Sequence, residues 1–483
     1  MKISPIKIYP NKTALFKKLF FHFLFITLFV IGIYALENTA FFKQIKDAAF
    51  DYIMFWHSDF APTLVDSQEM QQMVLFDVDE QSYRAWGSPL ITPRDKLQAL
   101  LQTAIDSGAK VIGVDISLSW ASDGYMRENS DSPADIALAK YLQGLNENQA
   151  FDAPLIFLTR HYREPLDSTT TFLETPPNFL DDALPVENNV FWVSTFFKMD
   201  EDRVIRRWQL APLVCQGGRL NVVPSMPLLM TLAHLHNQDT RQAGKVIRTF
   251  KNQWNTWAKQ FPCGESQGKS LAELCQLKAC PNLTVTLPKK SNVNDTVHDV
   301  DLLEGYETEK VIYRFAPPDK PQTITMQMNL FEVKSAEAIL SGELAIDVAG
   351  QMVFIGVTHP DNGDYHPIPI RYKDVSGVYI LANAVDTLLR FGQFQPQLRA
   401  DKVKWLIVLI IGMTLVFTFL NVFVAFCLSF VILGILIVWS FHHLHHGMEI
   451  DFVLELLTIQ LIQLLYWLVQ KGRQVRESLK NCQ

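Results

Sequence analysis

The sequence predicts an α/β chain: a large domain outside the membrane, built on a mostly parallel sheet with helices on both faces, plus four transmembrane helices, one N-terminal and three C-terminal. Three observations carry that expectation. The longest apolar runs of the 483 residues lie at the two ends. Between them, short and nearly continuous apolar runs alternate with amphipathic stretches, the pattern of βαβ units. Basic residues flank the terminal runs as the positive-inside rule requires.

The first run, LFKKLFFHFLFITLFVIGIYAL at 15–36, carries no charge after Lys18, and its length matches the roughly 20 residues a helix needs to cross a hydrocarbon core. Lys2, Lys7, Lys12, Lys17 and Lys18 precede or open it without an acidic residue among them, which places the tail 1–14 in the cytoplasm. A cleaved signal peptide has a shorter apolar core of roughly 7–15 residues, closed by small residues. This run is longer and rich in Phe, so it reads as an anchor.

The segment 37–402 then lies outside the inner membrane. MVLFD at 73–77 reads as a buried strand that ends in the polar turn VDEQS. In TPRDKLQALLQTAIDS at 92–107, Thr92 reads as a helix cap and Pro93 as the first helical residue, with Leu97, Leu100, Leu101 and Ile105 on one stripe. Gly108 closes that helix, and KVIGVDI at 110–116 is a second buried strand. Strand, helix and strand in this order form a βαβ unit with parallel strands and a right-handed crossover. The pattern recurs: a helix at 138–145, strands at 153–159 and 190–196, a helix at 224–235, a strand at 352–357 and an amphipathic helix at 377–391 that runs towards the membrane. Parallel strands covered on both faces satisfy such a pattern. The stretch 237–291 is polar, shows no strong apolar period and reads as an insertion outside the sheet.

The second apolar region, 405–440, contains no charged residue. As one helix it would measure on the order of 50 Å, too long for a core of about 30 Å. It therefore divides near Asn421 into spans at 403–420 and 422–440, and 452–470 makes a fourth. Four spans leave the loop 441–451 outside and put the basic tail 471–483, with Lys471, Arg473, Arg476 and Lys480, in the cytoplasm. Three spans would leave that tail on the wrong side. The expected location is a bacterial inner membrane, with both termini cytoplasmic and the large domain periplasmic. A net charge of −7 argues against a nucleic-acid partner. Cys215, Cys263, Cys275 and Cys280 fall in the outer segment, where thiols oxidise; at least one disulfide is expected among them, and three pairings of the four are open.

VLFDVDEQS (74–82), GSPLITPRDKLQALLQTAIDSGAKVIGVDI (87–116), MDEDRVIRRWQL (199–210), GQMVFIGVTHPDNGDYHPIPI (350–370) and SGVYILANAVDTLL (376–389), with one span before and three after, together resemble the second class of CHASE domains. The resemblance covers nearly the whole chain and implies an extracellular sensory module. Members usually continue into a cyclase or kinase. The dozen residues after the last span here match neither, so the resemblance implies a receptor that detects an unknown signal and passes it to a separate kinase, cyclase or regulator, with a homodimer expected by analogy.

Asp77, Asp79 and Glu80 lie at the predicted carboxyl end of one strand and Asp115 at that of another, the edge where open α/β sheets bind ligands. Such a cluster suits a divalent cation or a cationic ligand, although Asp at this place also caps helices and turns. Asp364, in GDYHPIPI with His359 and His366 nearby, fits the same edge or a rigid turn. Arg203, Arg206 and Arg207 lie along a probable strand, where they face solvent or pair with this acidic group. His442, His443, His445 and His446 stand at helical spacings suited to zinc or copper, or simply sit at the membrane interface. No resident cofactor is expected beyond a metal at one of these places. The Asp77 and Asp79 pair also raises a second reading, a metal-dependent phosphohydrolase, which needs a lysine and a further acidic site on later strands. A third reading is a non-signalling scaffold subunit of the envelope.

Overall fold

The structure is a computed structural model, and the residues it describes are 12–36, 39–60, 73–122, 132–148, 152–163, 172–236, 239–282, 284–287, 298–301, 309–314, 331–369, 374–393 and 399–420, with isolated positions elsewhere. The chain divides into two units, residues 1–53 with 394–483, and residues 54–393.

Helix α1 (Lys12–Leu36) contains the expected first span. Its window Leu15–Gly32 is, among the described residues, the one stretch of helix long and apolar enough to cross a bilayer. Helix α2 (Ala40–Phe60) follows. It was not foreseen, because its apolar residues Phe50 and Met54, both buried, are interleaved with charges.

The larger unit is organised on one sheet. In chain order come β1 (Met73–Val78), α3 (Glu80–Ala85), α4 (Arg94–Asp106), β2 (Val111–Asp115), α5 (Pro133–Glu147), β3 (Leu155–Thr159) and β4 (Val190–Val193). Two antiparallel additions follow: β5 (Phe197–Met199) with β6 (Ile205–Trp208), and β7 (Leu213–Gln216) with β8 (Arg219–Val222). Next are α6 (Met226–Leu235), α7 (Thr240–Ala258), α8 (Leu271–Leu277), the pair β9 (Thr284–Leu287) and β10 (His298–Asp301), and β11 (Glu309–Lys310) beside β6. The chain returns to the sheet with β12 (Phe331–Ser335), α9 (Ala336–Leu340) and β13 (Met352–Val357), then forms the hairpin β14 (Tyr365–Pro367) and β15 (Asp374–Ser376), and ends this unit with α10 (Gly377–Phe391).

The six-stranded sheet runs in the order β12, β1, β13, β2, β3, β4, and every pairing is parallel. The expected mixed α/β architecture is therefore present. Alternation along each strand separates two cores. Val74, Phe76, Val78, Ile112, Val114, Val353 and Ile355 face the layer that holds Leu97, Leu100, Leu101, Leu138 and Leu142 of α4 and α5. The other face receives α6 and α10. There Gly113 lets Met230 and Met226 of α6 approach the strand, and a Cβ at Gly356 would lie 2.7 Å from Val378 of α10.

Two expectations change, and one strand was not foreseen. Helix α4 begins at Arg94 with Pro93 as its N-cap, and no side chain caps it; Thr92 stands one residue too early. Strand β12 at the sheet edge has the partly polar sequence FEVKS, which carries no long apolar run. The stretch 237–291 is not featureless: α7 buries Ala243, Ile247, Trp254 and Trp257 along one stripe, and Lys251 Nζ donates to the Trp192 carbonyl at 2.7 Å. Polar residues on the outer face dilute that stripe in a linear reading.

Two disulfides join the four outer cysteines, Cys215 to Cys263 and Cys275 to Cys280. In the smaller unit, α11 (Arg399–Phe419) contains most of the expected second span and packs against α1; His22 Nδ1 and Thr418 Oγ1 are 3.0 Å apart. The expected spans 422–440 and 452–470, the loop 441–451 with His442, His443, His445 and His446, and the tail 471–483 lie outside the described residues apart from isolated positions.

Candidate functional site

The strand order places a topological switch where β13 inserts between β1 and β2, and ligands of open α/β sheets bind at the carboxyl ends of strands around such a point. Register brings the chemistry together: Asp77 pairs with Gly356, and Gly356 with Asp115. The two carboxyls therefore lie in one row on the α10 face, separated by a residue without a side chain. At one strand spacing per step their backbones are roughly 9–10 Å apart.

Asp77 is buried, and the Thr358 hydroxyl, on the loop after β13, donates to its two oxygens at 2.7 and 2.8 Å. Burial pushes the Asp77 carboxyl up to about 7, against the lowering effect of Thr358, and the charge of Asp79 adds a smaller push. Asp115 is pushed up to about 8 by burial and then by the charge of Asp364, with Thr159 opposing. The Thr159 hydroxyl donates to the Val114 carbonyl at 2.9 Å and lies 3.4 Å from Asp115 Oδ1.

Asp364 comes from the loop before β14. Its carboxylate is 2.9 Å from His366 Nε2 and lies over Gly377, the first residue of α10, where any Cβ would overlap it. The Gly377 amide donates to the Asp364 carbonyl at 3.1 Å, and the Ser376 hydroxyl to the Val357 carbonyl at 2.6 Å. The Tyr365 hydroxyl donates to the Thr358 carbonyl. Burial and the charges of Asp77, Asp364 and Glu80 raise that phenol above its ordinary range.

The five carboxylates expected at this edge thus have different roles. Asp79 is the N-cap of α3: its Oδ1 accepts from the Ser82 amide at 2.8 Å and hydroxyl at 2.7 Å, and from the Ser335 hydroxyl at 3.1 Å. Glu80 turns outward and accepts from Arg84 Nε at 2.5 Å. Asp77, Asp115 and Asp364 remain around the start of α10. Among the described residues no group of three or more His, Cys, Asp or Glu is arranged to hold a metal; Asp79 is engaged in capping α3, and the Thr358 hydroxyl donates to Asp77. Arg206 pairs with Asp200 and Asp202, and Arg207 with Asp200, on the β5–β6 addition. His359 stacks on Tyr83 with ring centroids 3.9 Å apart, and burial pushes its imidazole down.

The family model for the CHASE2 domain matches residues 25–419. This chain belongs to the CHASE2 family. CHASE2 domains are extracellular sensory modules, and the match runs from α1 through the outer unit to the end of α11. No curated protein and no solved structure matches the chain.

Within this CHASE2 domain, α10 carries a second set of contacts that the sequence analysis missed. The buried stretch Val311, Ile312, Tyr313 and Arg314 lies along α10 and is held by the helix's own polar side chains. The Ile312 amide donates to Thr387 Oγ1 at 3.0 Å and the Arg314 amide to Asn383 Oδ1 at 2.8 Å. Arg314 Nη1 is 3.2 Å from Asp386 Oδ2, and Arg390 Nε is 2.8 Å from Asp386 Oδ1. On the other side, the Val311 amide donates to the Arg206 carbonyl at 2.9 Å and the Tyr313 hydroxyl to the Ile205 carbonyl at 2.8 Å, while the Tyr313 amide meets Met54 Sδ of α2 at 3.4 Å. The available signal was Asn383, Asp386 and Thr387 at i, i+3 and i+4 inside an otherwise apolar helix.

Proposed function

We propose that this CHASE2 chain is a multi-pass receptor of a bacterial inner membrane, with both termini cytoplasmic, whose periplasmic domain detects a signal at the carboxyl edge of its sheet and hands a change in α10 to the membrane helices. The observation that carries the reading is the packing of the Asp364 carboxylate on Gly377. A change of charge at Asp77 or Asp115, or of occupancy beside Asp364, acts directly on the first turn of α10, and seven residues separate its last residue, Phe391, from Arg399, which opens α11. A ligand or proton shifts this element only by its different affinity for two states. The charged and neutral forms of Asp77 and Asp115 supply such a difference. A separate kinase, cyclase or regulator that docks on the membrane helices or inner tail receives the message.

The phosphohydrolase reading has less support. A nucleophilic aspartate must be ionised and open to substrate, whereas Asp77 is buried, held by Thr358 and raised to about 7, and Asp79 is committed to capping α3.

Hydrogen exchange on the intact protein in bilayer discs tests the coupling. Across the pH range in which Asp77 and Asp115 titrate, the amides of the first two turns of α10 are expected to change protection, and the Asp77→Asn, Asp115→Asn double variant to lose that change. Unchanged α10 protection in the wild type would remove the coupling. Crosslinking in native membranes, followed by identification of captured proteins, tests the partner.

A further inference from the structure

At the opposite end of the sheet, where the chain enters β3 and β4, lies a polar cavity of about 290 Å³. Its walls are the end of α5 with Asn146 and Glu147, the turn Asn188 and Asn189, and the face of α7 that carries Arg241 and Arg248. The two arginines are seven residues apart, so they project from one face of the helix roughly 10 Å apart along its axis.

Most polar groups in the wall are already committed. Asn146 Oδ1 accepts from the amides of Asn188, Asn189 and Val190 at 2.8, 3.1 and 3.1 Å, and its Nδ2 donates to the Val186 carbonyl at 2.6 Å. The Asn189 amide group donates to the Leu145 and Asn148 carbonyls. Glu147, the acid in the wall, accepts from Gln143 Nε2 at 3.0 Å, and Asp239 caps α7 by accepting from the Gln242 amide at 2.8 Å. Arg248 spends one nitrogen on the Asn188 carbonyl at 2.7 Å. Arg241 is exposed and makes no hydrogen bond or ion pair among the described residues. Burial and then the charge of Arg241 both disfavour the charged form of Arg248. Two guanidinium groups thus share one pocket, in which the charge of each disfavours that of the other and the wall's acid, Glu147, accepts from Gln143. An anion between them would relieve that repulsion, and planar guanidinium forks match the oxygens of carboxylate and phosphate.

We propose that this pocket binds a small oxyanion-bearing ligand, whose carboxylate or phosphate lies between Arg241 and Arg248 and whose polar body meets the asparagine wall. The volume suits a ligand about the size of one sugar ring, near the small end of the usual range for such sites. Binding here is read directly, so its success or failure is separate from the fate of the signalling reading.

Calorimetry on the intact detergent-purified protein, with glucose 6-phosphate, glucuronate, inorganic phosphate and glucose as probes, decides the matter. At least one of the three anions is expected to bind with a dissociation constant below about 1 mM while glucose does not. Arg241→Gln is expected to weaken binding by roughly tenfold or more, with Arg241→Lys in between, because Lys keeps the charge and loses the fork. Arg241 is exposed, so the variants should melt like the wild type without ligand. Which anion binds distinguishes a phosphorylated from a carboxylated ligand. Failure of all three anions to bind better than glucose, or unchanged affinity in a folded Arg241→Gln variant, overturns the proposal.

Discussion

Asp77 and Asp115 flank one glycine on three adjacent strands, and their burial decides how they respond to pH. Each carboxyl has a folded-state value above the ordinary 3.8, at about 7 and about 8. A raised value means the folded state holds the proton more tightly than the unfolded chain. The stability this supplies is fully present below the unfolded value and is lost as pH rises through the folded one. The window for Asp77 therefore runs from 3.8 to about 7, and for Asp115 from 3.8 to about 8. Asp135 and Asp202 are shifted down, so their effects fall below that window. Burial pushes His161, His236 and His359 below the ordinary 6.5, which raises stability with pH up to that value and opposes the carboxyls there. The melting temperature of the intact protein is therefore expected to fall as pH rises from 6.5 through about 8. Asp77→Asn and Asp115→Asn should each flatten the slope by removing that carboxyl's pH-dependent contribution. A slope unchanged in both variants would show that these carboxyls do not carry it.

Helix α10 joins the sheet, a neighbouring helix and the buried 311–314 stretch. Its apolar residues pack on α6 and β13, while Asn383, Asp386 and Thr387 take up backbone amides and a guanidinium of the 311–314 stretch, which itself touches β6 and Met54 of α2. A buried amide left without its acceptor costs about 1–3 kcal/mol. Thr387→Val orphans the Ile312 amide and Asn383→Leu the Arg314 amide. Each variant is expected to destabilise the protein by that amount and to speed hydrogen exchange at 312 and 314 first, ahead of the sheet strands. Equal acceleration throughout the sheet would mean that the stretch has no separate local stability. The linkage explains why polar residues sit in the middle of an apolar helix: they couple a strap to it, where an apolar residue would leave the strap's amides unpaired.

Across the whole molecule, the disulfides and the parallel sheet share the work of holding distant segments together. Cys215 on β7 is tied to Cys263, 48 residues on, beyond α7, whereas Cys275 and Cys280 are only 5 apart. Chain-entropy reasoning assigns about 4 kcal/mol to closing the long loop and about 2 kcal/mol to the short one. Replacing Cys215 and Cys263 by Ala is expected to lower the melting temperature clearly more than replacing Cys275 and Cys280. The reverse order, measured on the intact oxidised protein, would contradict this.

Much of the fold was legible because its signals are local. The runs MVLFD, KVIGVDI and MVFIGV are buried on both faces of the sheet, so their sequences are continuously apolar, and the helix at 377–391 shows its stripe directly. Strand β12 and helix α7 were not legible: an edge strand and a one-faced helix carry as much polar as apolar character. The sequence also placed Asp77 and Asp115 at strand ends. It offered helix capping as one role for these aspartates, and Asp79 takes that role through Ser82, three residues on. It did not show that Asp364 would settle on Gly377, which depends on how the loop before β14 folds back on α10. The sequence by itself determined the α/β class, the apolar first helix and the family, all of which are written in periodicity and run length. Only the tertiary structure decided which carboxylates share a site, how the cysteines pair and what grips α10. Those outcomes rest on the register of β13 between β1 and β2 and on hydrogen bonds between residues up to about 281 positions apart, a distance over which no local pattern specifies a partner.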